Sequence, residues 1–254
     1  MKITSDLHVH TLLSSCASRT AYPQEYIDIC KKTGITTIGF ADHLWDPAVV
    51  GASPWYAPQD IEHVKKIRSM IEDTEGINVL FGCETEYTGK GKAAVSKAAA
   101  QSFDYVLIPP NHFHMKDFVI PAAVTEIWEY KKYLLEYFME ICEIDLGVHI
   151  GIAHPFMPLG VPDVNGTLAA ITDAEYKECF EYAKKHGKSV EIQTGIADAD
   201  NPEFNRMLKI ADGCGCVFHF ASDAHDTENF GGAHEKLGVY LDKIGVKAEN
   251  TYPS

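Results

Sequence analysis

The run Asp6-Leu7-His8-Val9-His10 holds two histidines separated by a single residue, a spacing that suits metal chemistry. Side chains alternate along a strand, so Asp6, His8 and His10 are expected on one face and Leu7 and Val9 on the other. Two imidazoles so placed can reach one cation together. Similar residue types recur in Asp42-His43, Gly82-Cys83-Glu84, Asn111-His112-Phe113-His114, Ala153-His154-Pro155 and Ser222-Asp223-Ala224-His225. Imidazole and carboxylate are donors for zinc, manganese or iron, and a carboxylate can bridge two ions. The donors His8, His10, His43, Glu84, His112, His154, Asp223 and His225 are too many for one ion, so two or three divalent ions are expected. A site of that kind activates water and clamps a phosphoryl group between cations.

The elements that must position these residues can be read from periodicity. Strands are expected at Ile3–Val9, Thr36–Phe40, Ile77–Cys83, Tyr105–Ile108, Val148–Ala153, Ser189–Gln193 and Cys216–Ala221. Between them, apolar residues recur every three or four positions, as in Ile61, Val64, Ile67 and Ile71. This predicts helices over Pro23–Lys32, Gln59–Asp73, Ala93–Gln101, Val124–Ile144, Ala174–His186, Pro202–Ala211 and Glu235–Ile244. Gly34 and Gly187 fall where C-terminal glycine caps belong, Thr172 and Asp173 at an N-cap, and Pro202 in a first turn. The alternation, without a linker, predicts one parallel α/β domain over residues 1–254. No Gly-x-Gly-x-x-Gly follows the first strand, which weakens a dinucleotide-binding version. In a parallel α/β fold the C-terminal strand ends share one rim, where barrels carry their active sites.

Composition narrows the chemistry. The 254 residues include 22 basic and 36 acidic side chains, a formal charge of −14. Arg19, Arg68 and Arg206 are the only arginines. That balance argues against long nucleic acid, whose binding needs clustered basic residues. An anionic substrate would then rely on bound metal for positive charge. Seven cysteines do not suggest a disulfide framework, and neither a signal peptide nor a membrane span is evident, so a cytoplasmic protein without membrane partners is expected. The remaining histidines read differently. His63, His149, His186 and His234 are expected to be solvated or structural, His114 is ambiguous, and His219 would lie lower in the lumen.

The ordered set His8-Val9-His10, Asp42-His43, Glu84, His112, His154-Pro155 and Ser222-Asp223-Ala224-His225 resembles the PHP (polymerase and histidinol phosphatase) superfamily from end to end of the chain. The layout is most similar to its stand-alone histidinol-phosphatase branch. The resemblance implies a distorted (β/α)7 TIM-like barrel with a trinuclear metal site and phosphoesterase activity. It implies that His8, His10, Glu84 and Asp223 hold one metal. Glu84 would bridge to a second, completed by His112 and His154, with His43 and His225 on a third. Asp6 would orient His8 or His10.

Two departures stand out. Where many relatives place a further histidine or aspartate ligand, this chain has Cys16, either a thiolate ligand or a small buried side chain. Where related phosphatases carry a basic residue after the last histidine, it has Asp226. The expected function is hydrolysis of a small phosphomonoester by metal-activated water, with Glu84 catalytic and a metal-bound water, Asp42 or His225 protonating the leaving group. Arg19, Lys90 and Lys116 are the candidate phosphate contacts, Asp42 and Glu86 could meet a substrate amine, and Trp45, Trp55 and Tyr56 could form a lid. The alternatives are an amidohydrolase, a nucleotide-directed exonuclease or phosphoesterase, and a non-catalytic metal-binding regulatory module.

Overall fold

A computed structural model describes residues 1–228 and 230–253. The chain runs β1 (Ser5–Val9), α1 (Pro23–Thr33), β2 (Thr37–Phe40), α2 (Ile61–Val64), a 3₁₀ turn (Lys65–Met70) and β3 (Asn78–Glu84). A hairpin of β4 (Tyr87–Gly89) and β5 (Lys92–Ala93) precedes α3 (Lys97–Ala100), β6 (Tyr105–Ile108) and α4 (Ile127–Glu143). Then come β7 (His149–Ile152), α5 (Val164–Ala169), α6 (Asp173–Lys185), β8 (Ser189–Gln193) and α7 (Ile196–Ala199). The chain continues through α8 (Pro202–Gly213), β9 (Val217–Ala221) and α9 (Phe230–Ile244).

Seven of these strands form one parallel sheet, ordered β1-β2-β3-β6-β7-β8-β9, that curls almost into a closed barrel with the helices outside. Its ends meet at the C-terminal rim. Asp223 N donates to His8 O at 2.8 Å, and His10 N donates to Ala224 O at 2.9 Å. Lower down, the edge of β9 is taken by the C-terminal segment, where Phe218 pairs with Thr251. Tyr252 then stacks on His149 at 3.6 Å between ring centroids. His149 is therefore structural.

Local chemistry explains the helices. α1 buries Tyr26, Ile27 and Cys30 on one face and stops at Gly34, whose φ of 80° suits only glycine without strain. Thr172 and Glu175 form a capping box on α6, and Asn201 caps α8 ahead of Pro202. Two expected helices are shorter. Ser96 accepts from Ala99 N, so α3 starts only there, and the residues before it pair with β4 instead. The expected Gln59–Asp73 helix is one α-turn behind the Asp60 cap that tightens to 3₁₀ at Lys65. The last helix starts earlier than expected, so His234 lies within it.

The interior corrects the expected parity of β1. Its pairing with β2 shifts register between Asp6 and Val9, a bulge that breaks strict alternation. Leu7 packs with Tyr105, Leu107 and Ala153, and its carbonyl accepts Tyr105 OH at 2.6 Å. Asp6 turns the other way. Its Oδ1 accepts His8 N and Ser222 N, while Oδ2 meets His234 Nε2 at 2.7 Å, tying β1 to α9. Tyr105 fills the space over Gly39 and Gly82, where an added Cβ would lie 2.3 and 2.4 Å from it.

Gly82→Ala should therefore destabilise the fold by about 1–3 kcal/mol, read as a lower urea midpoint, because an overpacked core must shift to relieve the clash. The Asp6–His234 pair adds a pH dependence. Burial disfavours His234's charge, but the hydrogen bond and charge of Asp6 prevail and raise its pKa above the ordinary value. The stabilisation is thus complete below about pH 6.5 and fades as pH rises through the raised value. Urea midpoints of the parent and Asp6→Asn proteins should converge with rising pH; a constant gap would refute the assignment.

Candidate metal centre

At the C-terminal rim, five imidazoles surround one carboxylate. Glu84, at the end of β3 and 1% exposed, has His43 Nδ1 at 3.0 Å, His154 Nε2 at 3.2 Å and His10 Nε2 at 3.4 Å from its oxygens. His8 Nε2 lies at 3.5 Å and His112 Nε2 at 3.8 Å. Asp223, just past β9, places Oδ1 at 3.2 Å from His10 Nε2 and 3.7 Å from His8 Nε2. The backbones of His154 and Asp223 both have positive φ, 29° and 53°, the sort of held strain that gathers at functional sites.

Four of the five imidazoles are aimed by what binds their other nitrogen. His8 Nδ1 donates to Glu191 Oε2 at 2.8 Å, and His112 Nδ1 to Glu86 Oε1 at 2.6 Å. His154 Nδ1 donates to Asn111 Oδ1 at 2.9 Å. His10 Nδ1 lies 3.1 Å from Ser14 Oγ, which itself donates to Asp42 Oδ1 at 2.7 Å. These bonds put the proton on Nδ1 and leave the Nε2 lone pair facing inward. His225 Nδ1 donates to the carbonyl of Asp223 at 2.8 Å.

That arrangement fits divalent cations. His8 Nε2 and His10 Nε2, both fully buried, face each other at 3.1 Å. His43 Nδ1 is buried without a hydrogen-bond partner. Lone pairs converge in this way around a positive charge. Three overlapping groups have donor atoms mutually within 4.8 Å: His8, His10 and Asp223; His8, Glu84 and His154; and His10, Cys16, His43 and His225.

The electrostatics agree. Burial opposes protonation of His8, but Glu191, Glu84 and Asp223 together prevail and hold its pKa well above the ordinary value. The site therefore favours positive charge, and a divalent ion competes with protons for it. For His112 burial is likewise outweighed, here by Glu86, and the pKa is pushed up to about 9. Burial dominates at His43, holding it well below the ordinary value despite Glu84, so this ring stays neutral and ready to ligate. Cys16 is exposed, not the small buried side chain that was the other expectation. Partial desolvation of its thiol, then the charge of Glu84, pushes it up to about 12, so a thiolate there needs a cation beside it.

Several other expected residues are placed differently. Asp42 does not reach the cavity: Thr11 N, Thr11 Oγ1 and Ser14 Oγ saturate its carboxylate, each at 2.7 Å. Its service is to Ser14 and, through it, to His10. Asp6 orients neither imidazole. Arg19 and Lys90 are exposed and do not line the cavity. Lys116 is turned away, its ammonium spent on Val124 O at 3.2 Å and Tyr130 OH at 2.9 Å. Trp55 and Tyr56 do line the cavity, whereas Trp45 is buried behind Tyr56. His114 lines it too. His219 stays below the site, 3.3 Å from Glu191.

Glu191, Ser14 and Asn111 were not singled out from the sequence as site residues. A signal existed for Glu191, a charged residue in the middle of a strand whose neighbours Val190 and Ile192 are apolar. Ser14 and Asn111 lie in loops, where periodicity is silent.

A family model for the PHP domain matches residues 6–195. No curated protein sequence matches the chain significantly. Among solved structures, histidinol phosphate phosphatase from Lactococcus lactis subsp. lactis Il1403, complexed with zinc, L-histidinol and phosphate, aligns with a TM-score of 0.64 at 15% identity. The alignment covers 96% of this chain and 94% of that one, and supports the shared fold. An amidohydrolase aligns with a TM-score of 0.48 at 12% identity, over 95% of this chain and 70% of that one.

Because Glu191 aims His8, Glu191→Gln should weaken metal binding by about 10–100-fold while the fold is retained. Chelator competition followed by circular dichroism checks both. Unchanged affinity would remove Glu191 from the site's design.

Proposed function

The chain belongs to the PHP domain family, whose model spans most of its length, and from that premise we propose a metal-dependent phosphohydrolase that cleaves a small phosphomonoester. The observation that carries this reading is the convergence of five imidazoles on the buried Glu84. In it, His8, His10, Glu84 and Asp223 would hold one divalent ion, and Glu84 with His112 and His154 a second. His43 and His225, with Cys16 beside them, would hold a third. Such ions, when bound, activate water and offset the charge on the phosphoryl oxygens.

That positive charge matters because neither lysine nor arginine lines the cavity among the described residues. The chain's own groups would orient the ester. Glu84 and Asp223 fix the ion-binding end of a cavity of about 490 Å³, room for a small ester. His225, bonded through Nδ1 to the Asp223 carbonyl, has its Nε2 available either to ligate or to deliver a proton to the departing alcohol. Asp42, enclosed by Thr11 and Ser14, is withdrawn as the proton donor.

Metal analysis and phosphate release from one preparation test the proposal. Turnover of small phosphomonoesters should depend on zinc, manganese or iron and vanish on chelation. Glu84→Gln should lose bound metal and lower kcat by about 100-fold or more, since it removes a bridging charge from two ion positions. Full metal content with full turnover in that variant would refute the bridging role. Stoichiometric metal with no phosphate released from a broad panel would favour a regulatory module instead.

A further inference from the structure

The wall of the cavity away from the ion-binding cluster bears on what the phosphate is attached to. Trp55, Tyr56, Met115 and Leu159 form it, interspersed with Ser53 and His114. Trp55 stands edge-on to Tyr56, at 4.6 Å between ring centroids, and to His43 at 5.1 Å. Tyr56 is held in place from behind. Its hydroxyl donates to Glu86, and its ring packs on Trp45 and stacks on Phe118. The surface offered to a ligand is apolar, its accessible part being Trp55 and Leu159, with Tyr56 buried behind Trp55 and fixing it.

The charged groups around this wall are already engaged. Glu84 and Asp223 face the imidazoles. Glu86, which could have met a substrate amine, is 1% exposed, with Oε1 shared by Tyr56 and His112. Asp42 is enclosed by Thr11 and Ser14, and Asp46 accepts Ala48 N and Ser96 N. Asp226 is exposed, away from the cavity lining, and caps the Glu228 amide. Lys116 is committed to Val124 and Tyr130.

Among the described residues, a substrate ammonium would thus give up part of its water beside the wall with no free carboxylate to receive it, and a substrate carboxylate with no cation. Either is costly. An uncharged ring or aliphatic group instead gains from the apolar surface it covers, with ring contacts to Trp55 in addition. We propose that the substrate is a phosphomonoester whose alcohol portion is uncharged and carries an aromatic or bulky aliphatic group, seated against Trp55, Met115 and Leu159 with Tyr56 backing them. His114 and Ser53 supply hydrogen bonds to a neutral polar substituent. This deepens the phosphohydrolase reading and rests on it for the chemistry, though not for the class of ligand.

Two non-hydrolysable probes of matched size separate the charge from the shape. The metal-loaded full chain is titrated calorimetrically with para-ethylbenzylphosphonate and with para-(aminomethyl)benzylphosphonate. The neutral probe should bind at least about tenfold more tightly, the order expected when an ammonium is desolvated without a partner. Trp55→Ala should weaken the neutral probe by about tenfold and shrink that difference. Equal or tighter binding of the amine probe overturns the proposal. So does a Trp55→Ala protein with unchanged affinity for the neutral probe. Phosphate release from the two corresponding benzyl phosphates is read in parallel. A preference for the neutral probe without phosphate release would overturn the phosphohydrolase reading and leave the ligand class standing.

Discussion

A carboxylate removed from water is stable only if something positive or proton-donating surrounds it, and Glu84 has almost no contact with solvent. What surrounds it is a shell of imidazoles presenting bare nitrogens, an arrangement that is self-consistent around cations. The rest of the rim follows from that need. Glu191, Glu86, Asn111 and the Ser14–Asp42 pair each take the outward nitrogen of one ring, which fixes the tautomer and turns the lone pair inward. Loss of any one of these partners would leave a ring free to flip or to protonate on the wrong nitrogen, and Glu84 would lose a correctly oriented neighbour.

The barrel makes this shell possible by breaking its own regularity. A strictly alternating β1 would place Leu7 and Val9 on the same face. The bulge lets Leu7 join the interior with Tyr105 while Asp6 turns out to His234, and His8 and His10 still reach the rim. Tyr105 takes up the room that Gly39 and Gly82 leave beneath the site, with its hydroxyl on the β1 carbonyl at Leu7. The floor of the metal centre is thus a packed layer, and the strand that carries the first two histidines is braced from below. Bulges near active sites commonly re-aim side chains in this way.

How much of this the sequence disclosed depends on range. Seven strands and the order of their polar ends were legible, because period-two and period-three-to-four patterns are local and the rim gathers strand ends whatever the loops do. The donors His8, His10, His43, Glu84, His112, His154, Asp223 and His225 do meet. The residues around them were less legible. Asp42 and Lys116 looked available, yet the backbone of Thr11 and the carbonyl of Val124 claim them, and no periodicity encodes which carbonyl a loop lysine will find. Asp6 was misplaced because a bulge is a matter of pairing between strands. Trp45 and Trp55 lie ten residues apart in one segment and differ only in which side of Tyr56 each occupies.

The −14 charge of the chain would repel a phosphate ester at long range, and within the cavity nothing cationic among the lining side chains offsets it. On the proposed function, recognition of the phosphoryl end would depend on ions gathered by Glu84, Asp223 and the imidazoles, whose local field would outweigh distant, screened carboxylates. Among the described residues, the other end of the cavity has no such source of charge of either sign. Side chains that could have supplied one are spent on holding the rings and the wall: Glu86 on His112 and Tyr56, Asp42 on Ser14. The same hydrogen bonds that orient the imidazoles thus leave the opposite wall neutral among the described residues. On the proposed function, aiming the donors and discriminating among alcohols would follow from one set of commitments, so a change that freed Glu86 to meet an ammonium would also release His112.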